Sequence, residues 1–270
     1  MISSYGEDPA DVNPKAIAAA RKALELDPSL AGPHAVLGAT QAESEWDFAG
    51  GEAEFRKAIA LDPSDATTHQ WYSEMLVGLP GRTQDAIDEA NRAYELDPLS
   101  PIVATSRCGA YYHARQFDQA IAIGQKIVAE NPTFGRIHNV LGDIYSFEQK
   151  YPEAINEYKI DARLENDKFG IDLVNALEAG FQSGGWTEGL HKSIDVALAQ
   201  RQAGIRNKSY LIAQTYAMAG DKERAFQWLN TAYAEHEGGL SLMCNDPWLD
   251  SIRSDPRYAA LVRKIGFPQQ

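Results

Sequence analysis

Six histidines, two cysteines and 38 carboxylates are the side chains with which this 270-residue chain could build metal or acid–base chemistry. His34, His69 and His138 each stand six residues after a proline (Pro28, Pro63 and Pro132). That places them at least one repeat apart along a helical stack, about 10 Å or more, too far to share a metal with bonds of ~2.0–2.1 Å to imidazole. His113, His191 and His236 have no acid or thiol at ligand spacing. Cys108 and Cys244 match no ligand or redox spacing and read as buried, reduced side chains, with a disulfide as the alternative. No nucleophile elbow, Walker loop or dinucleotide fingerprint occurs, and Gly184-Gly185 and Gly238-Gly239 read as turn glycines rather than phosphate cradles. Asn207-Lys208-Ser209 is a glycosylation sequon by pattern only. The carboxylates read as solvated charges on helix faces. The expectation is a protein without catalytic residues, metal or cofactor.

Composition narrows what remains. A hydrophobic fraction of 44% excludes disorder, and no apolar run approaches the roughly 20 residues a membrane span needs. The N-terminus has no basic region and no apolar stretch, so it does not read as a signal peptide. With a net charge of −13 there is no basic footprint to displace counterions from phosphates. The expected setting is cytoplasmic, with neither a nucleic-acid partner nor a membrane.

The elements that would position any site are counted out by prolines. Leu24-Glu25-Leu26-Asp27-Pro28 returns as Ala60-Leu61-Asp62-Pro63, Tyr94-Glu95-Leu96-Asp97-Pro98 and Val128-Ala129-Glu130-Asn131-Pro132, and without its proline as Leu164-Glu165-Asn166. The spacings are 35 (28 to 63), 35 (63 to 98), 34 (98 to 132) and 34 (132 to 166). A fixed period of this length marks a stacked repeat. Twelve residues before each marker stands a small residue: Ala16, Gly51, Ala86, Ala120 and Ala154. Five before it stand Ala23, Ala58, Ala93, Ile127 and Asp161, and ten after it Gly38, Ser73, Cys108 and Gly142. Small residues let two helices approach at the low end of the usual ~8–10 Å separation. Proline cannot donate a backbone hydrogen bond yet fits a first turn, so each Asp-Pro is expected to end one helix and open the next. Apolar residues recur at three- and four-residue steps, as in Phe117, Ala120, Ile121, Ile127 and Val128. The reading is an all-α stack of helical hairpins.

These small, apolar and proline positions resemble the tetratricopeptide repeat, clearest in Leu141-Gly142, Tyr145, Tyr151, Ala154 and Tyr158. The resemblance implies a right-handed α-α superhelical solenoid with C-terminal capping helices. A narrower likeness, to the C-terminal arrays of bacterial signalling proteins with winged-helix, cyclase or Ser/Thr-kinase N-terminal domains, rests on four segments. They are Ser3-Ser4-Tyr5-Gly6, Glu45-Trp46-Asp47-Phe48-Ala49-Gly50, Thr68-His69-Gln70-Trp71-Tyr72 and the tail from Asp246 to Pro268.

The organisation expected is one array over 1–270. It comprises a partial repeat at 1–28, regular units at 31–63, 66–98, 101–132 and 135–166, degenerate hairpins at 169–205 and 206–237, and a cap at 240–270. By the resemblance the chain begins inside a hairpin, as part of a longer protein or one that lost an upstream domain; a natural start with a single helix is the alternative. In the tail, Asp246-Pro247 and Asp255-Pro256 each place an N-cap acid before a proline. An array needs such terminal helices to cover its last apolar face.

Within a curved stack the first helices of the hairpins line the inner wall. Their positions two, five, nine and twelve nominate Gln70, Glu74, Thr105, Tyr112, Arg136, Asn139 and Asp143 as partner-binding residues, with Glu178, Phe181, Asn207, Tyr210 and Gln214 aligned more weakly. Amides, acids and aromatics together can hydrogen-bond an extended peptide and stack one of its side chains. The chaperone-binding members of the family clamp a terminal carboxylate with lysine, asparagine and arginine; Ala35, Ala39 and Gln70 stand there, so that ligand is not implied. Glu74, Asp143 and Glu178 against Arg136 suit a neutral or basic segment. The function expected is a protein-interaction scaffold, the regulatory part of a bacterial signalling protein. The alternatives are a self-association module, hence a homodimer, or a small-ligand or peptide sensor.

Overall fold

The structure, a computed structural model, describes residues 9–205 and 208–268; Ser3-Ser4-Tyr5-Gly6 and Asn207 lie outside them. Among the described residues there is no strand. Helix α1 (Pro9–Leu26) leads into hairpins α2 (Ala31–Thr40) with α3 (Phe48–Leu61), α4 (Ala66–Gly78) with α5 (Thr83–Leu96), and α6 (Pro101–His113) with α7 (Phe117–Glu130). Three more follow: α8 (Arg136–Phe147) with α9 (Tyr151–Leu164), α10 (Lys168–Gly184) with α11 (Trp186–Gln202), and α12 (Ser209–Met218) with α13 (Lys222–Ala234). The tail consists of two 3-10 segments, Gly238–Leu242 and Pro247–Ile252, and α14 (Pro256–Ile265).

The seam inside each hairpin is where the small residues stand. Ala58, Ala86, Ala120 and Ala154 are 0% exposed. A Cβ on Gly51 would stand 2.8 Å from the Gly38 carbonyl oxygen, so the backbones of α2 and α3 touch there. In the next units a side chain bridges the same gap: Ser73 Oγ donates to the Ala86 carbonyl at 2.7 Å, and Cys108 Sγ to that of Ala120 at 3.1 Å. One expectation is corrected. Pro28 and Pro63 do not open the following helices but lie in the turns, two residues short of α2 and α4. The turns are closed by Asp27, which accepts from the Ser29 amide (2.9 Å) and hydroxyl (2.6 Å), and by Asp62, which does the same for Ser64. A short acidic side chain folding back on its own backbone stabilises such a turn without proline's help.

A periodic contact joins the two helices of three units. The Nδ1–H of His34, His69 and His138 donates to Glu54, Glu89 and Glu157 on the second helix, at 2.5, 2.6 and 2.5 Å. The third unit has Ala104 and Gly124 at the equivalent positions, so acid and imidazole are absent there together. The histidines are thus structural clasps. Among the described residues no three His, Cys, Asp or Glu side chains converge as a metal cluster would require.

The tail departs most from a simple stack. Asp246 and Asp255 cap their segments as expected, accepting from the amides of Trp248 and Arg257 at 2.9 Å. Leu240, Met243, Leu249 and Ile252 are 0% exposed in a core that also contains Ala35, Leu76, Ile212 and Leu229. The tail therefore covers the last hairpin, but it also crosses the inner wall to the early hairpins. Asn245 Nδ2 donates to the Val77 and Leu79 carbonyls at 2.7 and 2.8 Å, saturating the C-terminal end of α4. The Asn245 carbonyl accepts from Arg115 at 2.9 Å, and Arg115 pairs with Asp250 at 2.7 Å. Phe267 stacks on Phe48 with ring centroids 4.6 Å apart.

A local distortion completes the closure. After Thr40 the backbone widens into a π-turn, Gln41–Glu45, and Trp46 takes φ 54°, a left-handed conformation unusual for a bulky residue. This sets the Trp46 ring 3.9 Å from that of His236, whose Nε2–H donates to the Ser44 carbonyl at 2.6 Å. The first hairpin thereby meets the last.

Candidate functional site

The tail divides the inner wall into a filled part and an open part. Gln70 and Tyr112, expected to face a partner, are each 5% exposed. Gln70 donates to Glu74 at 3.1 Å, and Glu74 accepts from Ser106 at 2.5 Å. Burial raises the Glu74 carboxyl above its usual range despite those hydrogen bonds. Tyr112 packs beneath Trp248 of the tail and beside Phe117 and Phe147. For Gln70 and Tyr112 the expectation of free groove surface is corrected: neighbouring inner helices and the returning tail cover positions that a curved open stack would expose. Thr105 is half-buried, its hydroxyl turned back to the Pro101 carbonyl at 2.8 Å. Arg136 is half-buried and Asn139 exposed.

The open part lies beyond Trp248. Asn139 and Asp143 of α8, both nominated from the sequence, line a cleft of about 390 Å³ with Tyr158 and Asp161 of α9 and Gln214 of α12. Val174, Leu177, Leu190 and Ile194 form its apolar side, and Trp186 and Trp248 flank it. Helices α10 and α11 make that side because their own seam is close. A Cβ on Gly189 would stand 2.6 Å from the Leu177 carbonyl, which brings Leu177 and Leu190 together.

The polar end is electrostatically unusual. Asp143 accepts from the Tyr158 hydroxyl at 2.8 Å. Burial nevertheless pushes its carboxyl up to about 8, against that hydrogen bond and with the negative charges of Asp246 and Asp161 adding to the rise. Asp161 is pushed up to about 6, by burial first and then by the charge of Glu165. No lysine or arginine forms an ion pair with either among the described residues. Behind Trp248, Asp246 is 3% exposed and accepts from the Tyr210 hydroxyl at 2.7 Å and Gln214 Nε2 at 2.6 Å. Tyr112 Oη and Trp248 Nε1 are buried beside this group, next to each other.

The sequence reading missed Tyr158, Asp161 and Trp248 as cleft residues. One signal was present. Asp161 occupies the position five before the repeat marker, where the other units have Ala23, Ala58, Ala93 and Ile127. An acid in a seam position has no packing reason to be there. Trp248 left no such signal, since only the fold-back of the tail brings it to α8 and α12. Of the weaker nominations, Gln214 lines the cleft, Tyr210 is buried under the tail and Glu178 is taken up by Lys159 at 2.5 Å.

Comparison with known proteins agrees with the architecture. No family model matches the chain. A 74-residue stretch, 27% of this chain and 21% of the relative, is 31% identical to the small glutamine-rich tetratricopeptide repeat-containing protein 2 of Mycosarcoma maydis. The match thus spans about a fifth of that protein's length. Among solved structures, Pseudomonas aeruginosa pilF superposes with a TM-score of 0.53 at 22% identity, over 72% of this chain and 85% of that one. A chain of the APC/C hetero-tetramer Cut9-Hcn1 gives 0.60 at 13% identity, over 98% and 50%. Yeast Tom70 gives 0.54 at 17%, over 90% and 52%. No described helix is long and apolar enough to cross a membrane. The chain has the all-α superhelical fold of tetratricopeptide-repeat proteins.

Proposed function

We propose that this protein is a protein-interaction scaffold that grips an extended segment of a partner in the part of its inner wall left open by the tail. One observation carries the reading: a cleft of about 390 Å³ with apolar walls and a few convergent polar groups opens where Asn139 and Asp143 line α8. Pockets of this size and mixed lining are the usual form of a specific binding site. Asn139 and Gln214 supply amide groups for a peptide backbone, and Trp248 and Trp186 supply flat apolar faces. Service as the regulatory part of a bacterial signalling protein belongs to this proposal and rests on the sequence likeness of segments such as Thr68 to Tyr72. The experiment is selection of peptides from a displayed random library, followed by binding to Asn139→Arg, which places a bulky cation at the cleft. Selected peptides should lose most of their affinity for the variant. Peptides that bind both proteins equally would place the binding surface elsewhere.

A second reading has its own observation. Leu26 and Leu30, at the end of α1 and in the turn after it, are 77% and 41% exposed. Two copies pairing through this end would cover them. Light scattering that finds only monomer at high concentration would dismiss it.

A further inference from the structure

We infer that the cleft is a subsite for one cationic side chain, a lysine or arginine of the partner segment, with its aliphatic stem along Leu177 and Ile194 and its charge between Asp143 and Asp161. The inference rests on the scaffold reading and deepens it. Three independent features point to this occupant. The cleft is apolar on one side and acidic at one end, the division that a long side chain with a charged tip fits. Burial raises both carboxyls, and among the described residues neither closes an ion pair, the charges of His138 and Arg136 only partly offsetting the rise at Asp161. The seam position of Asp161, alanine or isoleucine in the other units, gives the acid no packing role to explain it.

The test uses the whole protein and four acetylated, amidated hexapeptides of alanine and glycine, with lysine, arginine, norleucine or glutamate at one central position. Tryptophan fluorescence follows binding. Lysine and arginine peptides should bind saturably, and the norleucine peptide, equal in stem but uncharged, about tenfold or more weakly. Asp161→Asn should reduce binding of the lysine peptide by a similar factor and leave the norleucine peptide unchanged. Asp143→Asn, which keeps an acceptor for the Tyr158 hydroxyl, should do the same, with circular dichroism confirming the fold of both variants. Equal binding of lysine and norleucine peptides, abolished by Asn139→Arg, would overturn the cationic subsite and leave the groove intact. Failure of lysine and arginine peptides to bind at all would overturn the subsite too. Library peptides indifferent to Asn139→Arg would overturn the scaffold reading itself.

Discussion

Replacing Asn245 by alanine tests whether the tail is a strut across the stack or only a cover for its last hairpin. The amide of Asn245 donates to the Val77 and Leu79 carbonyls at 2.7 and 2.8 Å, although these residues are 168 and 166 positions apart in the chain. Val77 and Leu79 are 5% and 2% exposed, so water cannot replace the lost donor without local opening. Leaving a buried acceptor unpaired costs about 1–3 kcal/mol, and a typical intramolecular hydrogen bond contributes about 0.5–1.5 kcal/mol. The two acceptors share one side chain and are not additive, so a loss of about 2–3 kcal/mol is expected. At about 2–4 °C per kcal/mol for a domain of this size, the melting midpoint should fall by about 4–12 °C. The diagnostic measurement is amide hydrogen exchange. In an open array each repeat feels only its neighbours, and a change in the tail would decay within one hairpin. With a strut, the amides of α4 and of the turn into α5 should exchange faster although four hairpins separate them in sequence from the tail. Faster exchange confined to residues 238–268 and α12–α13, with α4 unchanged, would refute the argument.

Three further outcomes follow from particular contacts. Gly189→Val would drive a side chain into the Leu177 carbonyl, 2.6 Å from the position of a Cβ, and should destabilise by about 1–3 kcal/mol in chemical denaturation; an unchanged midpoint would mean that α10 and α11 are not so close. His69 donates through both ring nitrogens, to Glu89 and to the Pro63 carbonyl at 3.2 Å, and the hydrogen bond to Glu89 raises its pKa above the ordinary value. Its stabilisation is therefore complete below about 6.5 and lost as pH rises through the higher folded value, so wild type should exceed His69→Gln in stability by less at pH 9 than at pH 5.5; a difference independent of pH would contradict the clasp. Asp143, pushed up to about 8 mainly by burial, shifts the balance the other way: folding becomes less favourable as pH rises from about 4 to 8. Asp143→Asn should accordingly gain stability over wild type across that window in thermal melts, and no gain would mean that the carboxyl is well solvated.

Part of the candidate site was legible in the sequence because two of its inner-wall residues belong to a periodic pattern. Asn139 and Asp143 stand at fixed offsets within their unit, and the cleft contains both. The same offsets nominated Gln70 and Tyr112, which are buried, because register tells which side of a helix faces inward but not what lies against that side. The histidine–glutamate clasps were hidden for a related reason: His34 and Glu54 sit on different helices, and only the packed hairpin brings imidazole and carboxylate to 2.5 Å.

Helical hairpins, their count and their seams were determined by the chain alone. They depend on small residues, acids and prolines at separations of a few residues to one repeat, and interactions over such distances are written directly in the pattern. The return of the tail to the first hairpins was decided only in three dimensions. It joins His236 to Ser44 and Asn245 to Val77 through complementary shapes and single hydrogen bonds, none of them periodic. The curvature of the stack brings those partners within reach, and that curvature is the accumulated angle of six packed hairpins. The open cleft exists because the tail, in covering the inner wall, borders the cleft with Trp248 and does not fill it.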